Sequence, residues 1–216
     1  MSLQALEKKF KLIAGQASLD FANTVGGRTH ARNRKMGRDY QAAIRAEKLE
    51  HYDDLLAWSL KSGLLSEIEV KTLRRKAEVN PKAAALVLGR AIKLREALYR
   101  LFKCAIETWR PDVADLNSLN EELRVAQKHQ RLVHDQQGFR LGWDNGEPAL
   151  DKMLWLLAES AAEILTSAEL ARVKQCGGDD CGWVFLDTSR SRNRTWCDMR
   201  DCGNLAKVHR FRRKAS

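Results

Sequence analysis

Four cysteines near the C-terminal end constrain this chain more than any other feature. Cys176, Cys181, Cys197 and Cys202 fall within 27 residues as C-x4-C-x15-C-x4-C. Two close pairs separated by a longer loop place four sulfurs around one point, as tetrahedral Zn²⁺ requires. Disulfides are the alternative. They are disfavoured where no export signal is visible, and Glu7, Lys8, Lys9 and Lys11 interrupt any apolar leader. Both gaps have four residues, so a redox C-x-x-C is absent. Four thiolates leave no position for water, so one zinc ion is expected, structural and not catalytic. Cys104 stands alone in an apolar helical stretch and reads as a small core residue.

Charge is concentrated beside those cysteines. The 216 residues carry a net +10, and residues 172–216 alone hold 11 basic and 5 acidic side chains. That is the pattern of a polyanion binder, with a solvated tail as the bland reading. Four thiolates and one Zn²⁺ sum to −2, so metal binding lowers the tail's charge without reversing it. A second basic run, Arg28, His30, Arg32, Arg34, Lys35 and Arg38, lies between Gly27 and Asp39. No apolar run approaches the ~18 residues of a membrane span, so a soluble cytoplasmic protein without membrane partners is expected.

Upstream of the cysteines the chain reads as mainly helical. Phe10–Ala14 alternates like a short strand, and Ser18 is placed to cap a helix over Leu19–Val25. Tyr52, Leu55, Leu56 and Leu60 recur at helical spacing. Ser66 with Glu69 forms a capping box for a helix through about Val79. Asn80 caps, and Pro81 opens, a long helix striped by Ala84, Leu88, Ala91, Leu94, Leu98 and Leu101. Asp112 or Asp115 starts another. Leu132–His134 and Phe139–Trp143 flank a polar turn as a hairpin, and Pro148 opens a helix to about Thr166. The fold class expected is therefore mainly α with a small β-hairpin. A helical domain over 1–171 precedes a treble-clef-like zinc finger over 172–216.

Within the finger, Trp183, Phe185 and Trp196 alternate with polar residues, as in a hairpin between the cysteine pairs. A helix follows Cys202, from Leu205 to about Lys214. Its Leu205, Val208 and Phe211 lie on one arc and can face the hairpin or the first domain. Lys207, Arg210 and Lys214 fall within an arc of about 60°, with Arg213 nearby. Arg190, Arg192 and Arg194 alternate, which could place three guanidiniums on one side of an extended loop.

The segment Cys181-Gly182-Trp183 … Cys202-Gly203-Asn204 resembles the CGNR zinc-finger family. Leu19-Asp20-Phe21-x-Asn23-Thr24 and Asp53-Asp54-Leu55-Leu56-x-Trp58 resemble the ABATE-type domain that precedes this finger in bacterial proteins. The resemblance implies a stress-induced transcriptional regulator, zinc held by the four cysteines, and DNA binding from the basic positions. One departure is plain: the Arg of the family's motif is Leu205 here.

Three functions compete. The first is a non-enzymatic DNA-binding regulator, contacting DNA through Arg190, Arg192, Arg194, Lys207, Arg210, Arg213 and Lys214. The second is a small-molecule-binding protein or enzyme centred on the first domain. Its candidate pocket is Asp20, Asn23, Thr24 and Arg28, although such residues more often cap helices and satisfy buried backbone. The third is a protein-interaction module using Trp183 or Trp196. No nucleophile-elbow, metalloprotease or phosphate-loop pattern is present. DNA is the leading partner, with a small-molecule effector and a homodimer as further options.

Overall fold

The computed structural model describes residues 3–28, 46–136, 138–143, 148–178 and 180–214. The basic run after Gly27 lies outside them except for Arg28. Among the described residues there are eight α-helices and two antiparallel two-stranded sheets: α1 (Leu3–Glu7), α2 (Ala17–Ala22), α3 (Tyr52–Lys61), α4 (Glu67–Val79), α5 (Pro81–Glu107), α6 (Val113–His129), β1 (Gln130–Asp135), β2 (Gly138–Trp143), α7 (Lys152–Thr166), β3 (Val173–Gln175), β4 (Val184–Leu186) and α8 (Asn204–Lys214). A 3-10 turn, Ala168–Arg172, joins α7 to β3. No helix is long and apolar enough to cross a membrane among the described residues.

Helix ends follow local side-chain chemistry. Ser66 Oγ accepts from Glu69 N, and Glu69 Oε2 accepts from Ser66 N, closing the capping box of α4. Asn80 Oδ1 accepts from Ala83 N and Pro81 occupies the first turn of α5. Asp112 caps α6. Helix α5 ends earlier than Pro111, at Thr108, whose φ of +56° is left-handed.

Three expected elements differ. Phe10–Ala14 forms no strand, because the Asp20 carboxylate accepts from Ile13 N and Ala14 N and folds that stretch over the start of α2. Helix α2 stops at Ala22, short of Val25, with Asn23 as its C-cap and Gln16 in place of Ser18 as its N-cap. Helix α7 begins at Lys152, one turn beyond Pro148.

The core is built around α5. Its Ala91, Leu94, Leu98, Leu101 and Phe102 pack with Leu19 and Phe21 of α2, Leu55, Leu56 and Trp58 of α3, and Met153, Leu157 and Ala161 of α7. The same apolar cluster continues through Val173, Trp183, Val184, Phe185 and Leu186. Hairpin β1–β2 pairs Leu132 with Leu141 and His134 with Phe139.

Candidate metal centre

The first cysteine pair sits at the tip of a hairpin. Strand β3 pairs with β4 in the register Val173↔Leu186, Lys174↔Phe185, Gln175↔Val184, and Cys176 and Cys181 occupy the connection. The expected hairpin between the two cysteine pairs is therefore displaced. The partner of β4 precedes Cys176, and neither Trp183 nor Trp196 belongs to a strand. Of the second pair, Cys197 precedes and Cys202 lies within a π-helical turn, Met199–Gly203, from which α8 emerges.

The four sulfurs lie within 4.8 Å of one another. Cys181 Sγ is 3.5 Å from Cys197 Sγ, which is 3.7 Å from Cys202 Sγ. A tetrahedron with Zn–S bonds of about 2.3 Å has edges of about 3.8 Å, so the spacing suits zinc. Cys176 Sγ also accepts from Gly178 N at 3.5 Å and Cys197 N at 3.3 Å, which orients it and favours its charged form. A Cβ on Gly178 would lie 3.3 Å from Cys181 Cβ and 3.4 Å from Cys202 Sγ, so a larger residue would press on the cluster.

Hydrogen bonds from Cys181 and Cys197 hold the Cys176 thiol down at about 2. The Cys181 and Cys197 thiols are pushed up by sharing those protons with Cys176, and the Cys202 thiol is pushed up by burial. Four sulfurs this close cannot all ionise unless a cation shares their charge. The donor set, its spacing and this unmet charge fit one structural zinc ion. Cys104 stands apart, half-buried, with Sγ toward the Arg110 carbonyl at 3.9 Å, and is not the enclosed core residue expected from its surroundings in sequence.

The rest of the helical body grips the hairpin. Asn23 Nδ2 donates to Val184 O at 2.8 Å while Asn23 Oδ1 accepts from Val184 N at 3.0 Å, so one amide side chain stands in for a neighbouring strand. Ala14 O accepts from Leu186 N, Val25 O accepts from Trp183 Nε1, and Arg28 N donates to Cys181 O at 2.8 Å. Gly182, at φ +62°, passes so close to Arg28 that a Cβ would meet its carbonyl oxygen at 2.9 Å. From α5, Tyr99 donates to Gly182 O, and Gln175 Nε2 donates to Tyr99 Oη.

These contacts consume the residues read as a pocket. Asp20 caps Ile13 and Ala14, Asn23 holds β4, and Thr24 Oγ1 donates to Phe21 O. Arg28 forks onto Glu96 at 2.7 and 3.0 Å and lies 3.8 Å over the Tyr99 ring. Burial raises the Asp20 carboxyl to about 6 against the pull of the Ala14 and Ile13 amides. The four side chains do not converge on a common cavity. They form the seam between body and hairpin.

The arginine loop departs from an extended strand. Arg192 adopts φ +49° and its carbonyl accepts from Lys174, so the alternation of side chains is broken. Arg190 and Arg192 are exposed. Arg194 turns inward, donating to Trp196 O, Cys197 O and Ile13 O, with its guanidinium 4.5 Å over Phe185. Asp187, one of the acids that the sequence offers these arginines, anchors the loop. It is buried, and accepts from Lys174 Nζ, Ser189 N and Oγ, and Arg194 N. Burial opposes its ionisation, but the Lys174 ammonium and these donors hold the carboxyl well below the usual range. A carboxylate between two basic stretches was the available signal.

In α8 the expected apolar contact is absent. Leu205, Val208 and Phe211 are 59%, 44% and 75% exposed, and Lys207 is exposed as well. Trp183, by contrast, is buried, and Trp196 is half-buried, which leaves little of these two rings exposed for a protein partner.

Sequence reasoning also passed over a cleft of about 640 Å³ beside the sulfurs, lined in part by Lys9, Lys11, Lys48, Trp183, Trp196 and Leu205. The run Lys8-Lys9-x-Lys11 was its only signal.

Two family models match the chain. Residues 15–168 match ABATE, described as "putative stress-induced transcription regulator", and residues 172–215 match the CGNR zinc finger. No curated protein matches it. The two descriptions are of a regulator and of a zinc finger. With the first model covering well over half of the residues and the second falling on the four-sulfur cluster, the chain belongs to the ABATE family and carries a CGNR zinc finger.

Proposed function

We propose that the protein is a zinc-dependent transcriptional regulator that binds DNA through the exposed half of its finger, with no catalytic role for the metal. The observation that supports this most is α8, a cationic helix tethered at its first turn to the last zinc ligand, with Lys207 exposed. Helical spacing over Asn204–Lys214 sets positions 207, 210, 213 and 214 within an arc of about 120°, the side chains of Arg210, Arg213 and Lys214 lying outside those described. Exposed Arg190 and Arg192 supply further cations beside the metal centre. Arg194 is a positioning residue in this reading, since its guanidinium is engaged within the fold.

When bound, zinc supplies a cross-link and charge neutralisation at the thiolates. The chain does the rest. The positive end of the α8 dipole faces the thiolate cluster, and the basic residues toward Lys214 complement its negative end. The body divides the labour: residues 172–216 act as the contact unit, and 1–171 as the support, which could also pair with a second copy.

Fluorescence anisotropy of the zinc-loaded full chain on duplex DNA tests the reading. Binding at low salt is expected, with log K falling against log[salt] at a slope of about −5 for six phosphate contacts. Chelation of zinc should abolish it. Absence of binding at low salt refutes the proposal, and binding to single-stranded RNA in preference to duplex DNA would reassign the partner.

A further inference from the structure

We propose that the cleft beside the zinc site binds a small organic monoanion with a flat apolar body. Lys48 receives the acidic group, and Trp196 with Leu205 carries the body. At about 640 Å³ the cleft lies in the range of small-molecule sites, about 300–1,000 Å³. It joins parts of the chain far apart in sequence. Its lining combines the N-terminal lysines and Lys48 with Trp196, Cys202 and the first residues of α8.

The cations in that lining are not equivalent. Lys9 is bound to the buried Asp54 at 2.7 Å, and Lys11 is paired with Asp201. Lys48 is half-buried, lies 5.3 Å over the Trp183 ring, and has no carboxylate partner among the described residues. Burial and the nearby Lys11 both disfavour its ammonium form, holding its pKa below the usual lysine range. A half-buried ammonium over an indole face still lacks an opposite charge, and a ligand carboxylate would supply one.

The remaining lining restricts what else the ligand carries. Cys181, Cys197 and Cys202 face the cleft, and with zinc the sulfur cluster contributes −2; Asp180 lines it too, while Asp201 is paired with Lys11. A second negative charge on the ligand would meet those groups. One acidic group and an apolar body therefore fit better than a phosphate dianion. Leu205 and Ala206 belong to α8, so occupancy would also bear on the helix proposed to contact DNA. Only that coupling rests on the DNA-binding reading; the binding itself does not.

Isothermal titration of the zinc-loaded full chain with benzoate, phenyl phosphate, benzyl alcohol and inorganic phosphate decides the matter. Saturable one-site binding of benzoate is expected, with each of the other three at least about tenfold weaker. Lys48→Met should weaken benzoate by about tenfold or more and Lys48→Arg should restore most of it, at unchanged zinc content. Trp196→Ala, at a lining residue far from Lys48 in sequence, should weaken benzoate as well and decides the question if Lys48→Met fails to fold. The proposal is overturned by no saturable benzoate binding in the millimolar range, by benzyl alcohol binding equally well, by phenyl phosphate binding more tightly, or by Lys48→Met binding unchanged. DNA affinity measured with and without benzoate then reads the coupling separately.

Discussion

From Val173 to Leu186 the zinc segment is woven into the helical body, whereas from Leu205 to Arg212 most of its described side chains face solvent. The first half has its backbone hydrogen bonds completed by Asn23, Ala14 and Arg28, and its side chains enter the core around α5. The second half is held at its base by Cys197, Cys202 and the Arg194 clasp. The metal thus joins a region that the body already supports to a region that has little else to hold it. Small zinc domains usually draw most of their folding free energy from the ion. Here that dependence should be confined to the second half.

The sharpest way to break this contrast is to remove the metal. Cys197→Ser, at a buried ligand, should reduce zinc from one ion per chain to none. Hydrogen exchange should then show α8 and the loop before it losing protection, while β4 and α5 keep theirs. Structural zinc contributes about 10–16 kcal/mol in finger peptides that are unfolded without it, and global unfolding of this chain should register much less. Loss of protection in β4 together with α8 would show that the two halves depend on the ion alike.

The converse change attacks the half that does not need the metal. Asn23→Leu removes both partners of the buried Val184 amide and carbonyl. Each orphaned group costs about 1–3 kcal/mol, so urea denaturation should show a loss of about 2–5 kcal/mol with zinc still bound. A loss below about 1 kcal/mol would mean that Val184 finds other partners.

What was legible beforehand follows the reach of each interaction. The Ser66–Glu69 box, the Asn80–Pro81 start and the four sulfurs depend on residues a few positions apart or on a donor set with one common use. The strand partner of β4 did not depend on such spacing: the C-x4-C turn sends the chain straight back, so β3 lies before the first ligand. Trp183–Leu186 is buried on both faces, which its apparent alternation concealed. Asn23 serving as a strand edge is a tertiary fact with no local signal. The three arginines alternate in sequence, but a single left-handed residue at Arg192 cancels the inference that they share a side. Periodicity marked an apolar arc on α8 without saying whether anything covers it.

Asp20 sharpens the comparison at the seam itself. Its carboxyl is raised to about 6 by burial, while its Oδ1 alone accepts the Ile13 and Ala14 amides. A folded pKa above the unfolded value of about 3.9 means the group favours folding fully below pH 4 and progressively less as pH rises to 6. Asn retains a neutral acceptor, so Asp20→Asn should stabilise the protein at pH 7 by about 1–3 kcal/mol. That gain should shrink between pH 6 and pH 4, and comparison with the unchanged chain at each pH cancels the common effect of zinc loss in acid. A constant gain across that range would mean that the carboxylate is better solvated than its burial implies.

The smallest effects separate the cations themselves. Lys207 is exposed on α8 and Arg194 is enclosed at its root, although both belong to the same basic stretch. Lys207→Gln should leave the melting temperature within error, weaken DNA a few-fold, and reduce the magnitude of the salt slope by about 1. Arg194→Gln should do the reverse. It removes donors to Trp196 O and Cys197 O and the contact over Phe185, so stability and zinc retention should fall. Saturating zinc should then return its DNA affinity with the salt slope intact, because a guanidinium that never met a phosphate releases no counterion when it is lost. Equal slopes for both variants would place Arg194 on the DNA and dissolve the distinction between a held half and a reaching one.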